Sequence, residues 1–213
     1  MLIDFSNLDA RTAYFWMAST ITPRPVAWVS TCSADGVQNL APFSFFQMVT
    51  PAPPTLMISP LLHPDGRMKD TARNIEATGE LVVNLVPFAQ VEQMNRTSFS
   101  YAPNESEIEQ CKIVTLASSL VAPRRVANIP VSFECRLASM MAYPPAQPSC
   151  HLILAEVVAA HVDDTILDAS GQIDPVKLDL VSRMGADWYG RTNGAANFSL
   201  KRPEGWNRPA SKK

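Results

Sequence analysis

Short apolar segments rich in β-branched and aromatic residues follow one another along the chain, separated by turn residues, and they constrain the fold most. The segments "VAWVSTC" and "VQNLAPF" flank the turn sequence "SADG" and predict a β-hairpin. Further strands are predicted at "TLMIS", "ELVVNLV", "PVSFECRLASMMAY" and "HLILAEVVAAHVDD". Because no regular strand–helix–strand alternation accompanies them, the order indicates an antiparallel barrel or sandwich rather than a doubly wound sheet.

Proline outnumbers glycine in this chain of 213 residues, with 18 prolines against 8 glycines. That balance favours β-structure with rigid loops over a bundle of long helices. We expect one domain over residues 1–213, with a core at about residues 10–202 and a frayed tail at "NRPASKK".

Charge and cysteine usage exclude several classes of partner. The formal net charge is −2, so no basic field is available for a nucleic acid or an anionic membrane, and small molecules or proteins suit better. We expect no secretory signal, and the longest apolar run, "HLILAEVVAAHV", is too short and too charged to span a bilayer. Four cysteines without a CxxC pair predict reduced thiols in a cytoplasmic protein.

Sequence motifs for a metal site, a hydrolase triad or a glycine-rich nucleotide loop are absent. The three histidines, His63, His151 and His161, have no histidine three or four residues away, so we expect no metal site. There is no G-x-S-x-G, no P-loop and no G-x-G-x-x-G after a strand. If the protein binds a nucleotide, it holds it in another way.

One short helix is predicted between Asp70, its N-cap, and Gly79, its C′ residue. Arg67 and Lys69 precede it, next to the positive end of the helix dipole, where basic residues are disfavoured. A bound phosphate would resolve this conflict through free backbone N–H groups, the Thr71 hydroxyl and the two cations. The alternative is a solvated basic loop capped by Asp70.

Arg24 is the second unusual placement, because Pro23 and Pro25 fix the backbone on both of its sides. An arginine presented so rigidly suits an anion or a contact with another subunit. The alternative is a surface arginine in a stiff turn.

A third unusual segment is "GVQNLAPFSFF", the return strand of the hairpin, which contains Pro42. Proline cannot donate to a sheet ladder, so the neighbouring strand is expected to lack one bond there. We expect Asn39 and Ser44 where the strand leaves the sheet, with backbone groups free for a polar, flat ligand. The alternative is an edge strand at a barrel corner.

Three long segments together resemble a known family. They are "ITPRPVAWVSTCSADGVQNLAPFSFFQMVTPAPPTLMIS", "KDTARNIEATGELVVNLV" and "EVVAAHVDDTILDASGQIDPVKLDLVSRMGADWYGRT". In this combination the chain resembles the flavin reductase-like, FMN-binding split-barrel family, especially its flavoredoxin-like members. The resemblance implies a mainly β, Greek-key split barrel with a few short helices, which forms a homodimer and holds FMN near the subunit interface.

The resemblance also implies site residues. Flavin-lining positions, contacted largely through main-chain groups, are Ser30, Thr31, Asn39, Leu40, Ala41, Pro42 and Ser44, with Ser59 a further candidate and Arg24 a weaker one. The segment "RMKDT" lies near the phosphate, which makes Arg67, Lys69, Asp70 and Thr71 candidates there. The segment 183–191 is a candidate to close the cleft.

The chemistry that the resemblance implies is hydride transfer from NADH or NADPH to the flavin, followed by transfer of electrons onward. The protein then needs to supply no acid, base or nucleophile, and no catalytic residue is assigned. An NAD(P)H:flavin reductase is the simplest interpretation. The alternatives are an FMN-binding electron carrier reduced by a redox partner protein, and a split-barrel binding module without redox activity.

Overall fold

A computed structural model describes residues 1–102, 105–200 and 203 of the chain. The tail predicted to fray, residues 207–213, lies outside the described residues. So do residues 201 and 202 of the expected core.

The chain forms many short strands and few helices. The strands are β1 Arg24–Pro25, β2 Ala27–Cys32, β3 Gln38–Phe43, β4 Phe46–Pro51, β5 Pro54–Ile58, β6 Glu80–Leu85, β7 Thr115–Leu116, β8 Arg125–Val126, β9 Val131–Tyr143, β10 Cys150–Val162, β11 Val181–Gly185 and β12 Trp188–Arg191. The α-helices are α1 Ala10–Thr20, α2 Asp70–Thr78, α3 Val91–Arg96, α4 Glu107–Gln110 and α5 Pro175–Leu178. Short 3₁₀ turns lie at Phe5–Asn7, Phe88–Gln90 and Asp164–Ile166.

The main sheet has seven strands in the order β3-β2-β6-β9-β10-β5-β4, and every neighbouring pair is antiparallel. A smaller sheet has the order β1-β11-β12. The predicted hairpin is confirmed, since β2 pairs with β3 from Ala27↔Phe43 to Cys32↔Gln38. Gly36 closes its turn with φ +88°, a conformation that favours glycine. The prediction of a mainly β, antiparallel fold is therefore confirmed.

Strand β2 is buried along its whole length and separates two parts of the core. Ala27 and Val29 pack with β5, β6, β9, β10 and α2 in one cluster. Val26, just before the strand, and Trp28 pack in the other, together with Leu40 of β3. Because successive side chains of a strand point to opposite faces, this short segment contributes to both clusters.

Helix α2 forms where it was predicted and ends at Gly79, which adopts a left-handed conformation with φ +72°. It buries Ala72 and Ile75 against the first cluster, with the three-residue spacing of one helix face. The prediction that Asp70 is the N-cap is wrong. The helix begins one residue earlier than expected, so Lys69 is the N-cap and Asp70 is the first helical residue.

Strand β3 is an edge strand, and this changes the role of Pro42. The N–H of Leu40 donates to a side chain outside the sheet, and Pro42, two residues on, faces the same way. The missing donor of Pro42 thus points away from β2, and the prediction of a gap in the ladder is wrong. Asn39 lies inside β3 rather than where the strand leaves the sheet, and only Ser44 follows its end.

Several elements were not predicted from the sequence. Strand β4 pairs with β5 through Phe46↔Ile58 to Pro51↔Pro54 and forms the other edge of the main sheet. The hairpin of β11 and β12 pairs with β1 and packs against α1. None of the helices in the described ranges is long and apolar enough to cross a membrane.

The loop before β8 is held to the sheet by a buried carboxylate, Glu134 of β9. Its two oxygens accept the N–H groups of Ser119 (2.7 Å) and Leu120 (2.6 Å), and Oε1 also lies 2.5 Å from Nε2 of His161. Burial raises the pKa of Glu134, but these hydrogen bonds outweigh it and leave the pKa below its ordinary value. The ionised carboxylate therefore stabilises the fold.

We expect Glu134→Gln to lower the free energy of unfolding by about 1–3 kcal/mol near neutral pH, because an amide cannot match the acceptors of the carboxylate. A carboxylate whose pKa is lowered on folding stabilises above its unfolded pKa, ordinarily about 4.5. That contribution is lost as the pH falls through the folded pKa. The difference between wild type and variant should thus shrink in acid. Urea unfolding across pH measures it, with the exposed Glu156→Gln of β10 as control. An equal effect of both variants would contradict this role.

Candidate functional site

A cavity of about 630 Å³ lies between β3, the start of α2 and the segment between α3 and α4. Its volume is in the range of small-molecule and cofactor sites. It brings together seven predicted site residues from two distant segments of the chain, namely Asn39, Ala41, Pro42, Arg67, Lys69, Asp70 and Thr71.

One wall of the cavity is strand β3. Asn39, Ala41 and Phe43 alternate along the strand and so share a face, and all three line the cavity with Pro42. Leu40 points the other way, and its side chain is completely buried in the second core cluster. Leu40 therefore does not line the cavity.

Two buried side-chain hydrogen bonds attach α2 to the sheet. The Asn39 amide donates to the Thr71 hydroxyl oxygen at 3.0 Å, and the Asn74 amide donates to that of Thr31 at 3.1 Å. All four residues are buried. Thr31 thus supports the cavity from behind and does not line it, while Thr71 does both.

The start of α2 forms the second wall. No side chain among the described residues caps it, and its first intrahelical bond runs from the N–H of Arg73 to the carbonyl of Lys69. The N–H groups of residues 70–72 have no acceptor within the helix, and they carry the positive end of its dipole. This end of the cavity therefore favours an anion.

The three cations nearest this helix start differ in their partners. Arg67 is largely exposed and pairs with Asp65 at 2.7 Å, and Arg73 pairs with Asp70 at 2.7 Å. Lys69 is half-buried and has no ion pair within the described part of the chain. An anion at the helix start would find Lys69 without a competing carboxylate.

The third wall comes from the segment 97–101 and from Glu107 of α4, and the sequence did not identify it. Phe99 and Tyr101 pack edge to face, with ring centroids 5.0 Å apart, and both line the cavity. Glu107 is buried and lines the cavity too, with its Oε2 accepting the N–H of Leu40 at 2.9 Å. Burial raises the pKa of Glu107, and the charge of Asp70 adds to this, against the hydrogen bond from Leu40.

Four predicted site residues have other surroundings. Ser30 is completely buried and accepts the Asn84 amide at 3.0 Å. The guanidinium of Arg24 donates to the carbonyls of Ala18 and Ile21 at the end of α1, and to the Ser44 hydroxyl at 3.4 Å. The N–H of Ser59 donates to the carbonyl of Phe45 at 2.9 Å. Ser30, Arg24, Ser44 and Ser59 do not line the cavity.

The segment 183–191 forms most of the β11–β12 hairpin and does not line the cavity in this chain. Within it the Arg183 guanidinium lies over the Tyr189 ring, 4.6 Å from its centroid. Gly185 lies so close to α1 that a Cβ there would be 2.8 Å from the Ser19 Cα. The hairpin is therefore fixed against α1.

The walls together fit a flat ligand that carries a phosphate. The uncapped helix start and Lys69 suit the phosphate, and the edge of β3 offers polar main-chain groups beside aromatic and apolar side chains. FMN has this form, so the residues present fit it. Among the described residues, no group of three or more His, Cys, Asp or Glu side chains is arranged to hold a metal ion.

Comparison with known families and proteins points the same way. A family model described as "Flavin reductase like domain" matches residues 17–177 of the chain. An uncharacterized protein of Aquifex aeolicus is 37% identical over 192 residues, which cover 90% of this chain and 96% of that protein.

Solved structures give the same relationship. Nitrilotriacetate monooxygenase component B from Bacillus cereus superposes with a TM-score of 0.88 at 30% identity, over 94% of this chain and 98% of that one. A protein of Shewanella frigidimarina with a split barrel domain superposes with a TM-score of 0.79 at 22% identity, over 94% of this chain and all of that one. The predicted split-barrel fold is thereby confirmed.

Proposed function

The chain belongs to the flavin reductase-like family, and from this premise we propose that it is an FMN-binding oxidoreductase, most simply an NAD(P)H:flavin reductase. The observation that carries the proposal is the meeting of two distant segments at one cavity. The edge of β3 and the uncapped start of α2 are about 30 residues apart in sequence, yet both line it.

We assign the phosphate to the start of α2. The free N–H groups at residues 70–72 and the ammonium of Lys69 would bind it, with Arg67 adding a weaker contribution because Asp65 already holds its guanidinium. Arg73 neutralises Asp70, which would otherwise repel the phosphate.

The flavin ring would then lie against β3. Asn39, Ala41 and Pro42 would contact it, and the aromatic pair of Phe99 and Tyr101 bounds the cavity beyond them. Bound FMN would accept a hydride from NADH or NADPH and pass the electrons onward. The chain's own residues bind and orient it and need to hold no proton for that step.

We also propose a homodimer. Exposed apolar side chains on α1 and β4 support it, since Phe15, Met17 and Met48 are at least half exposed. The Tyr14 and Phe45 rings, 6.2 Å apart, bring α1 next to the segment that leads into β4. Light scattering should give about twice the chain mass of 23.4 kDa. The mass of one chain would contradict the proposal.

A cytoplasmic location and a single domain over residues 1–213 remain predictions. The basis for the predicted compartment is the scattered placement of four cysteines without a CxxC pair. The predicted flavin residues that do not line the cavity remain predictions with less support, namely Arg24, Ser30, Thr31, Leu40, Ser44 and Ser59.

The function is tested by adding FMN to the purified protein and mixing the complex with NADH and NADPH, without oxygen, in a stopped-flow spectrometer. We expect bound flavin and fast bleaching of its absorbance by at least one donor. Binding without bleaching would contradict the reductase and favour the electron carrier that a partner protein reduces. If the protein binds no flavin, the remaining interpretation is the split-barrel binding module without redox activity.

We expect Arg67→Ala and Lys69→Ala together to weaken FMN binding by about 2–4 kcal/mol, if both make charge-assisted bonds to a largely desolvated phosphate. Lys69→Ala alone should cause most of this loss, because Arg67 is paired and 69% exposed. Fluorescence titration with FMN measures both effects. Arg11→Ala, an exposed arginine on α1, is the control. Unchanged affinity in the double variant would place the phosphate elsewhere.

A further inference from the structure

Glu107 is a buried carboxyl that lines the cavity and has no part in the function proposed so far. It is the first residue of α4, and its side chain reaches the edge of β3. With a relative exposure of 8%, it is one of few carboxylates that the described fold buries. Burying a charge is costly unless its hydrogen bonds compensate, so this placement calls for a reason.

The hydrogen bond of Glu107 fixes an edge strand at the cavity. The N–H of Leu40 points away from β2, so no strand accepts it, and the residue is completely buried. Without Glu107 this donor would be buried and unpaired. Asn39 and Ala41, on either side of Leu40, both line the cavity. The carboxyl therefore determines the position of the main chain that borders the ligand.

The charge of Glu107 also lies within the field of the other cavity residues. The titratable side chains that share the cavity with it are His63, Arg67, Lys69, Asp70, Arg73 and Tyr101. Arg67 and Arg73 are each paired with an aspartate, and β3 contributes no titratable side chain to this wall. A bound phosphate would add negative charge to a cavity in which burial and Asp70 already oppose ionisation of Glu107.

We propose that Glu107 is a positioning residue for the bound flavin, which holds the main chain of β3 through Leu40 and whose ionisation weakens binding of the anionic cofactor. This inference rests on the proposed function. By linkage, binding of FMN would favour uptake of a proton by the carboxyl. The affinity for FMN would then depend on pH in a way that removal of the charge abolishes.

Two variants separate the two roles. Glu107→Gln keeps an oxygen that can accept the N–H of Leu40 but carries no charge, whereas Glu107→Ala removes both the charge and the acceptor. Glu109→Ala, on the exposed side of the same helix, is the matched control. The first readout is the dissociation constant for FMN, from fluorescence titration between pH 4.5 and 8. The second is hydrogen exchange of the Leu40 amide in the ligand-free protein, followed by NMR.

We expect Glu107→Ala to have a dissociation constant about tenfold above that of Glu107→Gln, which also lacks the charge, and to exchange the Leu40 amide at least about tenfold faster than wild type. In Glu107→Gln exchange should change little. The ratio of the wild-type dissociation constant to that of Glu107→Gln should rise with pH, and titration of FMN itself cancels in this ratio. Glu109→Ala should behave as wild type in both measurements.

Equal affinities of Glu107→Ala and Glu107→Gln, or wild-type exchange of the Leu40 amide in Glu107→Ala, would overturn the positioning role. A ratio that is flat with pH would overturn the role of the charge. If Glu107→Ala does not fold, the ratio of the wild-type dissociation constant to that of Glu107→Gln still decides whether the charge weakens binding. Failure of the wild type to bind FMN would instead overturn the proposed function. Exchange of Leu40 in the ligand-free variants would still decide whether Glu107 holds β3.

Discussion

The attachment of α2 to the sheet by the pairs Asn39–Thr71 and Asn74–Thr31 is the constraint on which the cavity depends. Burial of Ala72 and Ile75 holds the helix against the core, but apolar contact has little directional preference. The two amide–hydroxyl bonds are directional and buried, so they fix where the helix begins relative to β3. The free N–H groups of α2 and the edge of β3 consequently open into the same space.

The charges around that space are arranged unequally. Two arginines are matched by aspartates, while Lys69 lacks an ion pair in the described ranges, and the buried carboxyl of Glu107 lies on the wall that α4 contributes. A ligand with its charge at one end fits such a field better than a uniformly charged one. The part of the positive potential that comes from main-chain dipoles persists when a surface side chain is replaced.

Local signals in the sequence were sufficient for the elements that local interactions determine. The turn at Gly36 and the αL residue Gly79 predicted the hairpin and the end of α2, since each needs a conformation that glycine favours. The conflict of Arg67 and Lys69 with the helix dipole predicted a phosphate at this helix start, and that stays a prediction. Family resemblance added the β3 segment, which residue patterns alone left undecided.

The rest depended on contacts between residues far apart in the chain. Glu107 and Leu40 are 67 residues apart, and nothing around Glu107 in the sequence distinguishes it from a surface glutamate of a short helix. The pairing of β11 with β1 likewise follows from packing. So does the start of α2, where Lys69 rather than Asp70 is the N-cap. The guanidinium of Arg24 was expected to meet an anion or another subunit, and in the fold it donates to two carbonyls at the end of α1.

The outer edge of β3 has a second consequence, for the behaviour of the protein at high concentration. An exposed edge strand is a template on which another chain can add a strand and start aggregation. Here Glu107 occupies one outward donor and Pro42 supplies none at the next, so an incoming strand would lack two successive partners. The same edge still offers carbonyl groups to a compact ligand. A binding surface made of main chain can therefore stay accessible to a ligand without promoting strand addition by other polypeptides.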